Sequence, residues 1–348
     1  MSILRKPLLV EKLRKFRKTV LENGGEIGTQ LRVVDFAYNN SCNFKCEHCS
    51  TESPLGKTTR HRISLEKLSD FADQAHDLGV YEFNLYGGEL LINKKKLFEL
   101  IKAVKPERFY TYLTSNGYFL DEDTANELAE AGIDRVSISI DSFDEKIHDE
   151  FRGVKGSYQK AMQALDYVKK AGMAPFLNIT FGHYNAFSKD IEELCQFSKD
   201  KGYNTFINIA IPSGNWQGNL DVMIDEKDRE RLLYLRKKYG NVLRDLWNPF
   251  DKNKEKVLGC QTISKMYITP NGDVLVCSFL HIKIGNIYEQ SLKEIVDYGF
   301  SIKHFRNYSD VCLAGENREF VNKYMLEDMS IFNPLDARKV FTDDDYVK

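Results

Sequence analysis

The chain lacks any run of about 18 residues that is apolar and free of charge, so no membrane-spanning helix is expected. It also lacks a secretory signal. The first twenty residues hold seven Lys or Arg and one Glu, with neither an apolar core nor a small-residue cleavage site. Net charge is nearly absent, at −2 for 348 residues, which argues against a protein that coats nucleic acid. No low-complexity stretch occurs, and no repeat beyond an alternation of strands and helices. A cytoplasmic globular chain is expected, of ordinary composition at 42% hydrophobic and 29% charged, and long enough for two domains.

What the sequence does have is cysteine in clusters. Of seven, Cys42, Cys46 and Cys49 fall within eight residues, Cys260, Cys277 and Cys312 lie late in the chain, and Cys195 stands alone. Clustered thiols in a reducing compartment bind metal more often than they form disulfides. Cys195, beside Leu194 and Phe197 in a helical pattern, reads as core.

Leu9, Leu13, Phe16 and Val20 recur at helical spacing among Lys12, Arg14, Lys15, Arg17 and Lys18. Residues 1–30 therefore read as a basic amphipathic helix, either capping the main domain with its charges solvated or meeting a membrane surface or partner. From residue 31, short β-branched runs alternate with longer helical patterns. The runs are Leu31–Tyr38, Glu82–Tyr86, Phe109–Thr114, Arg135–Ile140, Phe176–Phe181 and Thr205–Ile211. Gly79, Gly132, Gly172 and Gly202 fall where helices should stop. The rhythm implies an α/β fold with a parallel sheet, either doubly wound or an incomplete barrel. It breaks after Pro212-Ser213-Gly214. Residues 221–255 read as a helical linker and 256–330 as a small α+β unit. That unit's Asn271-Gly272 signals a hairpin, with a two-residue turn that would set Met266 opposite Cys277. Residues 331–348 form a tail without signal.

Cys42-x-x-x-Cys46-x-x-Cys49 follows the first expected strand. Three thiolates hold three irons of a cubane whose fourth iron stays open for chemistry. Zinc, with His48 as a further ligand, and a disulfide are the alternatives.

The spacing resembles that of the radical S-adenosylmethionine (SAM) superfamily, with His48 at the family's aromatic position. Tyr86-Gly87-Gly88-Glu89 looks like its GGE motif. Leu113-Thr114-Ser115-Asn116-Gly117, Ser137-Ile138-Ser139-Ile140-Asp141-Ser142 and Arg152-Gly153 follow as in the family. The resemblance spans about residues 31–215 and implies a partial (β/α)6 TIM-type barrel over residues 31–220. It implies a 4Fe–4S cluster on Cys42, Cys46 and Cys49. Gly87 and Gly88 would let backbone approach a ligand, and Glu89 would accept the methionine ammonium of SAM. Asn116 would face the ribose, Ser139 and Asp141 the ribose or the carboxylate, and Arg152 would pair with that carboxylate. The implied activity is reductive cleavage of SAM to a 5′-deoxyadenosyl radical that takes a hydrogen atom from substrate. An electron donor such as flavodoxin or ferredoxin would supply the reducing equivalent.

Cys260-x11-Gly272-x4-Cys277 resembles the start of the auxiliary-cluster motif of SPASM and Twitch extensions. With only Cys312 to follow, one auxiliary iron–sulfur cluster is expected, of the shorter Twitch type. Its fourth ligand would be His281, an Asp, water or substrate. An unrelated hairpin of small buried residues is the alternative.

The expected substrate is a small sugar, polyol or nucleoside, because residues 1–30 are too short for a leader-binding domain. A peptide or protein side chain is the second reading, and a non-catalytic iron–sulfur carrier the reading of another class. Tyr118, His183, Tyr184 and Trp216 are candidates to line the substrate cavity. Arg60, His61 and Arg62 are candidates to meet an anionic substrate.

Overall fold

The computed structural model describes residues 5–51, 63–244, 260, 262–306, 309, 311–325 and 329–347. Arg60, His61 and Arg62 lie outside the described residues.

Six parallel strands pair side by side in chain order: β1 (Val33–Ala37), β2 (Glu82–Tyr86), β3 (Tyr110–Ser115), β4 (Arg135–Ser139), β5 (Ala174–Phe181) and β6 (Asn204–Ile209). Sequential order with every crossover helix on one face is the winding of a barrel, and it settles the choice against a doubly wound sheet. One face of each strand is apolar. Val34, Phe36, Phe83, Leu85, Leu113, Val136, Ile138 and Leu177 pack against Leu68, Phe71, Leu97, Leu100, Leu128 and Leu165 of the surrounding helices. Each such fully buried side chain contributes about 1.5–3 kcal/mol.

The helices begin and end where local chemistry puts them. Ser64 caps α2 (Leu65–Asp77) by accepting from Lys67 N at 3.1 Å. Asp121 caps α4 (Glu122–Glu130) in the same way, from Thr124 N at 2.8 Å. Between them lies α3 (Lys94–Val104), and after them come α5 (Glu145–Arg152), α6 (Ser157–Lys170) and α7 (Lys189–Lys201). Helix α5 was not read from the sequence. It is short and polar, and it directs Arg152 inward.

Helix α1 (Pro7–Glu22) closes the barrel at the amino-terminal ends of the strands, with Leu9, Phe16 and Val20 against Tyr81, Tyr110 and Tyr112. Its charges are not all solvated, contrary to the capping-helix expectation. Lys6, just before the helix, is buried and donates to Phe109 O at 2.9 Å, Gly132 O at 2.9 Å and Asp134 Oδ2 at 2.5 Å. Lys12 is buried too and donates to Val80 O at 2.8 Å and Arg108 O at 2.9 Å. These carbonyls follow the carboxyl ends of α2, α3 and α4, where helix dipoles leave partial negative charge.

Helix α8 (Glu226–Tyr239) and the short β7 (Val242–Leu243) follow β6. The C-terminal segment does not stand apart from the barrel. Strand β8 (Lys265–Ile268) pairs in parallel with β1, Val33 facing Lys265 and Asp35 facing Tyr267. Strands β9 (Asp273–Leu275), β10 (Ile282–Asn286) and β11 (Leu335–Asp336) continue the same sheet outward, with α9 (Leu292–Ser301) next in chain order after β10. The tail thus supplies a strand.

The hairpin register differs from expectation by one residue. Tyr267 faces Leu275 and Ile268 faces Val274. The connection is a three-residue loop, with Gly272 N donating to Thr269 O at 2.9 Å and Gly272 at φ +83°. A one-residue slip exchanges the faces of a strand. Here it turns Cys277 inward with Lys265 and Tyr267, while Met266 packs outward.

Candidate active site

Beyond β1, Cys42, Cys46 and Cys49 occupy one loop as free thiols. Four strand ends grip that loop. After β2, Gly88 N donates to Asn39 O at 3.1 Å and Glu89 N to Ser41 O at 2.8 Å. A Cβ on Gly87 would lie 2.7 Å from Asn39 O, and one on Gly88 only 2.1 Å from Ser41 O. Close approach is the reason for both glycines, as expected, but what approaches is the loop's own backbone.

After β3, Asn116 Nδ2 donates to Asn43 Oδ1 at 2.9 Å. Glu89 is fully enclosed and accepts from Leu91 N at 3.1 Å, Asn116 N at 2.8 Å and Ser115 Oγ at 3.1 Å. Its carboxylate thus ties the end of β2 to the end of β3, a role the sequence did not suggest.

After β4, Asp141 accepts from Thr180 N at 2.8 Å and forms a buried ion pair with Arg152. Arg152 also reaches Cys46, Nη1 to Sγ at 3.7 Å. It is 7% exposed, so it is no solvated helix charge, and its pairing within the protein is with Asp141. The backbone beside it binds the loop as well: Lys45 N donates to Arg152 O at 3.3 Å and Glu47 N to Phe151 O at 3.0 Å.

After β6, Asn215 N donates to Cys49 O at 3.1 Å and Asn215 Nδ2 to Cys46 O at 3.0 Å. Gly214, at φ +62°, leaves no room for a Cβ, which would lie 2.3 Å from Cys49 O. His48 stacks on Phe151 with ring centres 4.7 Å apart and leans on Trp216 at 5.9 Å. Burial pushes its imidazole down to about 3.

The second group of thiols is assembled from three separate segments. Cys260 N donates to Ser309 O at 2.9 Å, which draws residue 260 toward the segment of Cys312. The chain then reverses at Ile263, where Ser264 N donates to Thr262 O at 2.8 Å and Ile263 adopts φ +65°. A β-branched residue rarely adopts that conformation, and this one is held by complete burial and by its N–H to Val276 O at 3.0 Å. This reversal is how Cys260 comes back to Cys277. The Cys277 sulfur accepts from Phe279 N at 3.4 Å and Leu280 N at 3.2 Å. His281 does not join the thiols. It lines a different cavity with Pro212, Leu220, Met325 and Met329.

One cavity of about 230 Å³ inside the barrel is lined by the second thiol group and by the loop that carries the first. His48, Ser50 and Thr51 line it from the first loop, Cys260, Cys277 and Cys312 from the second group, and Ser139 and Arg152 lie between. Its walls are the second face of the strands, where Glu82, Tyr86, Tyr112, Thr114, Arg135, Ser137, Asn178, Thr180 and Asn208 set polar groups among apolar surface from Val33, Phe206 and Ile209. These residues were missed. The available signal was a polar residue at every second position of β2, β4 and β5, where a parallel strand buried on both faces should be nearly all apolar.

Of the aromatic and histidine candidates, Trp216 lines the cavity. Tyr118 packs edge-on to Phe44, with ring centres 5.8 Å apart. His183 instead pairs with Asp228 at 2.7 Å on an exposed face. Tyr184 is half exposed and donates to Thr180 O at 3.3 Å.

Residues 37–198 match the model of the Radical SAM superfamily, and residues 260–315 that of the SPASM iron–sulfur cluster-binding domain. The second match is to SPASM, the longer of the two extensions, although only three cysteines fall within it. The AdoMet-dependent heme synthase of Oleidesulfovibrio alaskensis is 26% identical over 79% of this chain and 76% of its own length. The PqqA peptide cyclase of Rhizobium meliloti is 26% identical over 73% and 70%. The fold is similar to that of Streptococcus suis SuiB bound to S-adenosylmethionine, with a TM-score of 0.60 and 19% identity over 82% of this chain and 68% of that one. No helix among the described residues is long and apolar enough to cross a membrane. With a barrel whose strand ends converge on a three-thiol loop and a second thiol group at the cavity beside it, the chain carries a radical SAM domain and a SPASM iron–sulfur domain and is an enzyme whose cofactors are S-adenosylmethionine and iron–sulfur clusters.

Proposed function

We propose that Cys42, Cys46 and Cys49 hold the SAM-binding 4Fe–4S cluster, that Cys260, Cys277 and Cys312 hold an auxiliary cluster, and that substrate is oxidised or rearranged in the cavity between them. The cavity lined by the second thiol group and by His48, Ser50 and Thr51 of the first thiol loop carries this reading. The donor sets fit the cofactors. All six cysteines are free, and the sulfurs of Cys42, Cys46 and Cys277 accept N–H hydrogen bonds of the kind that tune clusters. When bound, the reduced cluster supplies the electron that cleaves SAM, and the 5′-deoxyadenosyl radical so formed takes a hydrogen atom from substrate.

The chain's own residues bind, orient and exclude. Arg152, held by Asp141, fixes positive charge beside Cys46 and the methionine end of SAM. Asn116 and Ser139 stand at strand ends facing the same loop, as ribose contacts. Gly87, Gly88 and Glu89 set the loop backbone against β2, so that amide and carbonyl groups there meet the methionine. His48 and Trp216 wall the cavity with aromatic surface that keeps water from the reacting carbon.

The cavity is recessed and sets many polar side chains among apolar surface, which suits a small polar substrate. A peptide side chain entering the cavity is the second reading, favoured by the PqqA peptide cyclase likeness and by SuiB, whose structure is also solved bound to precursor peptide SuiA. Flavodoxin or ferredoxin is the proposed electron donor.

Anaerobic reconstitution tests the proposal. Iron near eight per chain and 5′-deoxyadenosine after dithionite reduction are expected for two cubanes, one of them active on SAM. No 5′-deoxyadenosine from protein with a filled first cluster would sink the catalytic reading and leave an iron–sulfur carrier. Faster 5′-deoxyadenosine release with sugars, polyols or nucleosides supports the small substrate. Acceleration by peptides alone replaces it with the second reading.

A further inference from the structure

One side chain in the cavity is out of balance with its surroundings. Arg135, near the start of β4, is 1% exposed and lines the cavity. Its guanidinium is stacked 3.8 Å from the centre of the Phe176 ring and 4.2 Å from that of Tyr112. Yet Nε and Nη1 have no hydrogen-bond partner, and no carboxylate among the described residues pairs with it. A buried guanidinium left without an acceptor is strongly unfavourable, and folded proteins keep one only where something pairs with it.

Other unpaired groups line the same cavity. Glu82 Oε2, Ser137 Oγ and Tyr267 OH, each on a buried residue, also lack partners. Of the other charges there, Lys265 is matched with Asp35 at 3.2 Å and Arg152 with Asp141, whereas Arg244 lines the same cavity with its own Nε unpartnered.

Resting on the proposed function, we propose that Arg135 receives a carboxylate of the substrate inside the barrel, with Tyr267, Ser137 and Glu82 contacting the polar groups next to it. Rings stacked on the guanidinium plane leave its in-plane N–H groups as the contact, and a planar carboxylate matches that fork with two bonds. Burial pushes Glu82 up to about 7, so near neutrality it is only partly ionised, and Arg135 and Arg244 leave positive charge on the wall for a ligand to balance. The substrate class is thus a carboxylate-bearing small molecule, or an acidic side chain of a peptide.

The test is a calorimetric titration of the reconstituted full chain, saturated with SAM and at constant ionic strength, using glutarate and its neutral analogue glutaramide. Saturable glutarate binding roughly tenfold or more tighter than that of glutaramide is expected, from the strength of charge-assisted hydrogen bonds. Arg135→Met should abolish the preference. Arg135→Lys, which keeps charge but loses the fork, should retain part of it and provides a second folded variant. Equal binding of the two probes, no saturable glutarate binding, or an undiminished preference in Arg135→Met would overturn the proposal. 5′-Deoxyadenosine is measured on the same wild-type preparation. Its absence strikes the proposed function, whereas a failed titration with SAM cleavage intact strikes only the role of Arg135.

Discussion

The two thiol groups are assembled beside one cavity by opposite routes. Cys42, Cys46 and Cys49 share a single loop, and the rest of the fold is arranged to hold that loop. Cys260, Cys277 and Cys312 are brought together from three segments, through a contact with Ser309, a reversed turn at Ile263 and a hairpin register. The first group is local in sequence and braced by distant strand ends. The second is remote in sequence and braced by its own turns. The lesson concerns failure. Damage to the first group should spread from the loop to the reaction, whereas damage to the second should leave SAM cleavage standing.

The sharpest way to break this contrast is a pair of substitutions. Cys46→Ala should reduce 5′-deoxyadenosine to background. Cys277→Ala should lower iron from about eight toward four per chain while SAM cleavage without substrate persists. Loss of cleavage in both variants would mean that the two groups do not act separately, and iron unchanged in Cys277→Ala would remove the auxiliary cluster.

A smaller effect is expected at the brace. Gly88→Ala places a Cβ 2.1 Å from Ser41 O, an atom of backbone that cannot swing aside. A stability loss of about 3 kcal/mol is expected in denaturant titration, together with poorer filling of the first cluster and normal filling of the second. Equal loss of iron at both sites would contradict local bracing.

The smallest effect concerns the wall the two groups share. Burial raises Glu82 to about 7, against the ordinary 4.5, with Lys265 and Arg135 opposing the rise and Asp35 adding to it. The folded state then binds more protons than the unfolded one between these values. The contribution to stability is fully present below pH 4.5 and is lost as pH rises to 7. Glu82→Gln should flatten that decline across the window in urea titrations. An unchanged slope would show that Glu82 ionises normally.

Much of this architecture was legible because it is written locally. The strand and helix runs were recognisable to within a few residues. The helix stops at Gly79 and Gly132 are one-turn effects, set by a φ angle at the end of the helix itself. The first thiol loop was legible for the same reason, since its ligand set spans eight residues. Lys6 and Lys12 were misjudged because their acceptors lie 68 to 128 residues away. Arg152 and Glu89 were assigned to SAM alone, because the partners that occupy them stand on neighbouring strands.

By itself, then, the sequence determined the alternation of strands and helices, the site of the first thiol loop and the presence of a hairpin bearing Cys277. These depend on short-range dihedral preferences and spacing. Tertiary structure alone decided the winding of the sheet, the one-residue register that turns Cys277 inward, the meeting of Cys260 with Cys312, and the burial of Arg135 without an acceptor. Those outcomes depend on which strand lies beside which. That is a matter of packing between residues far apart in the chain, and no local pattern encodes it.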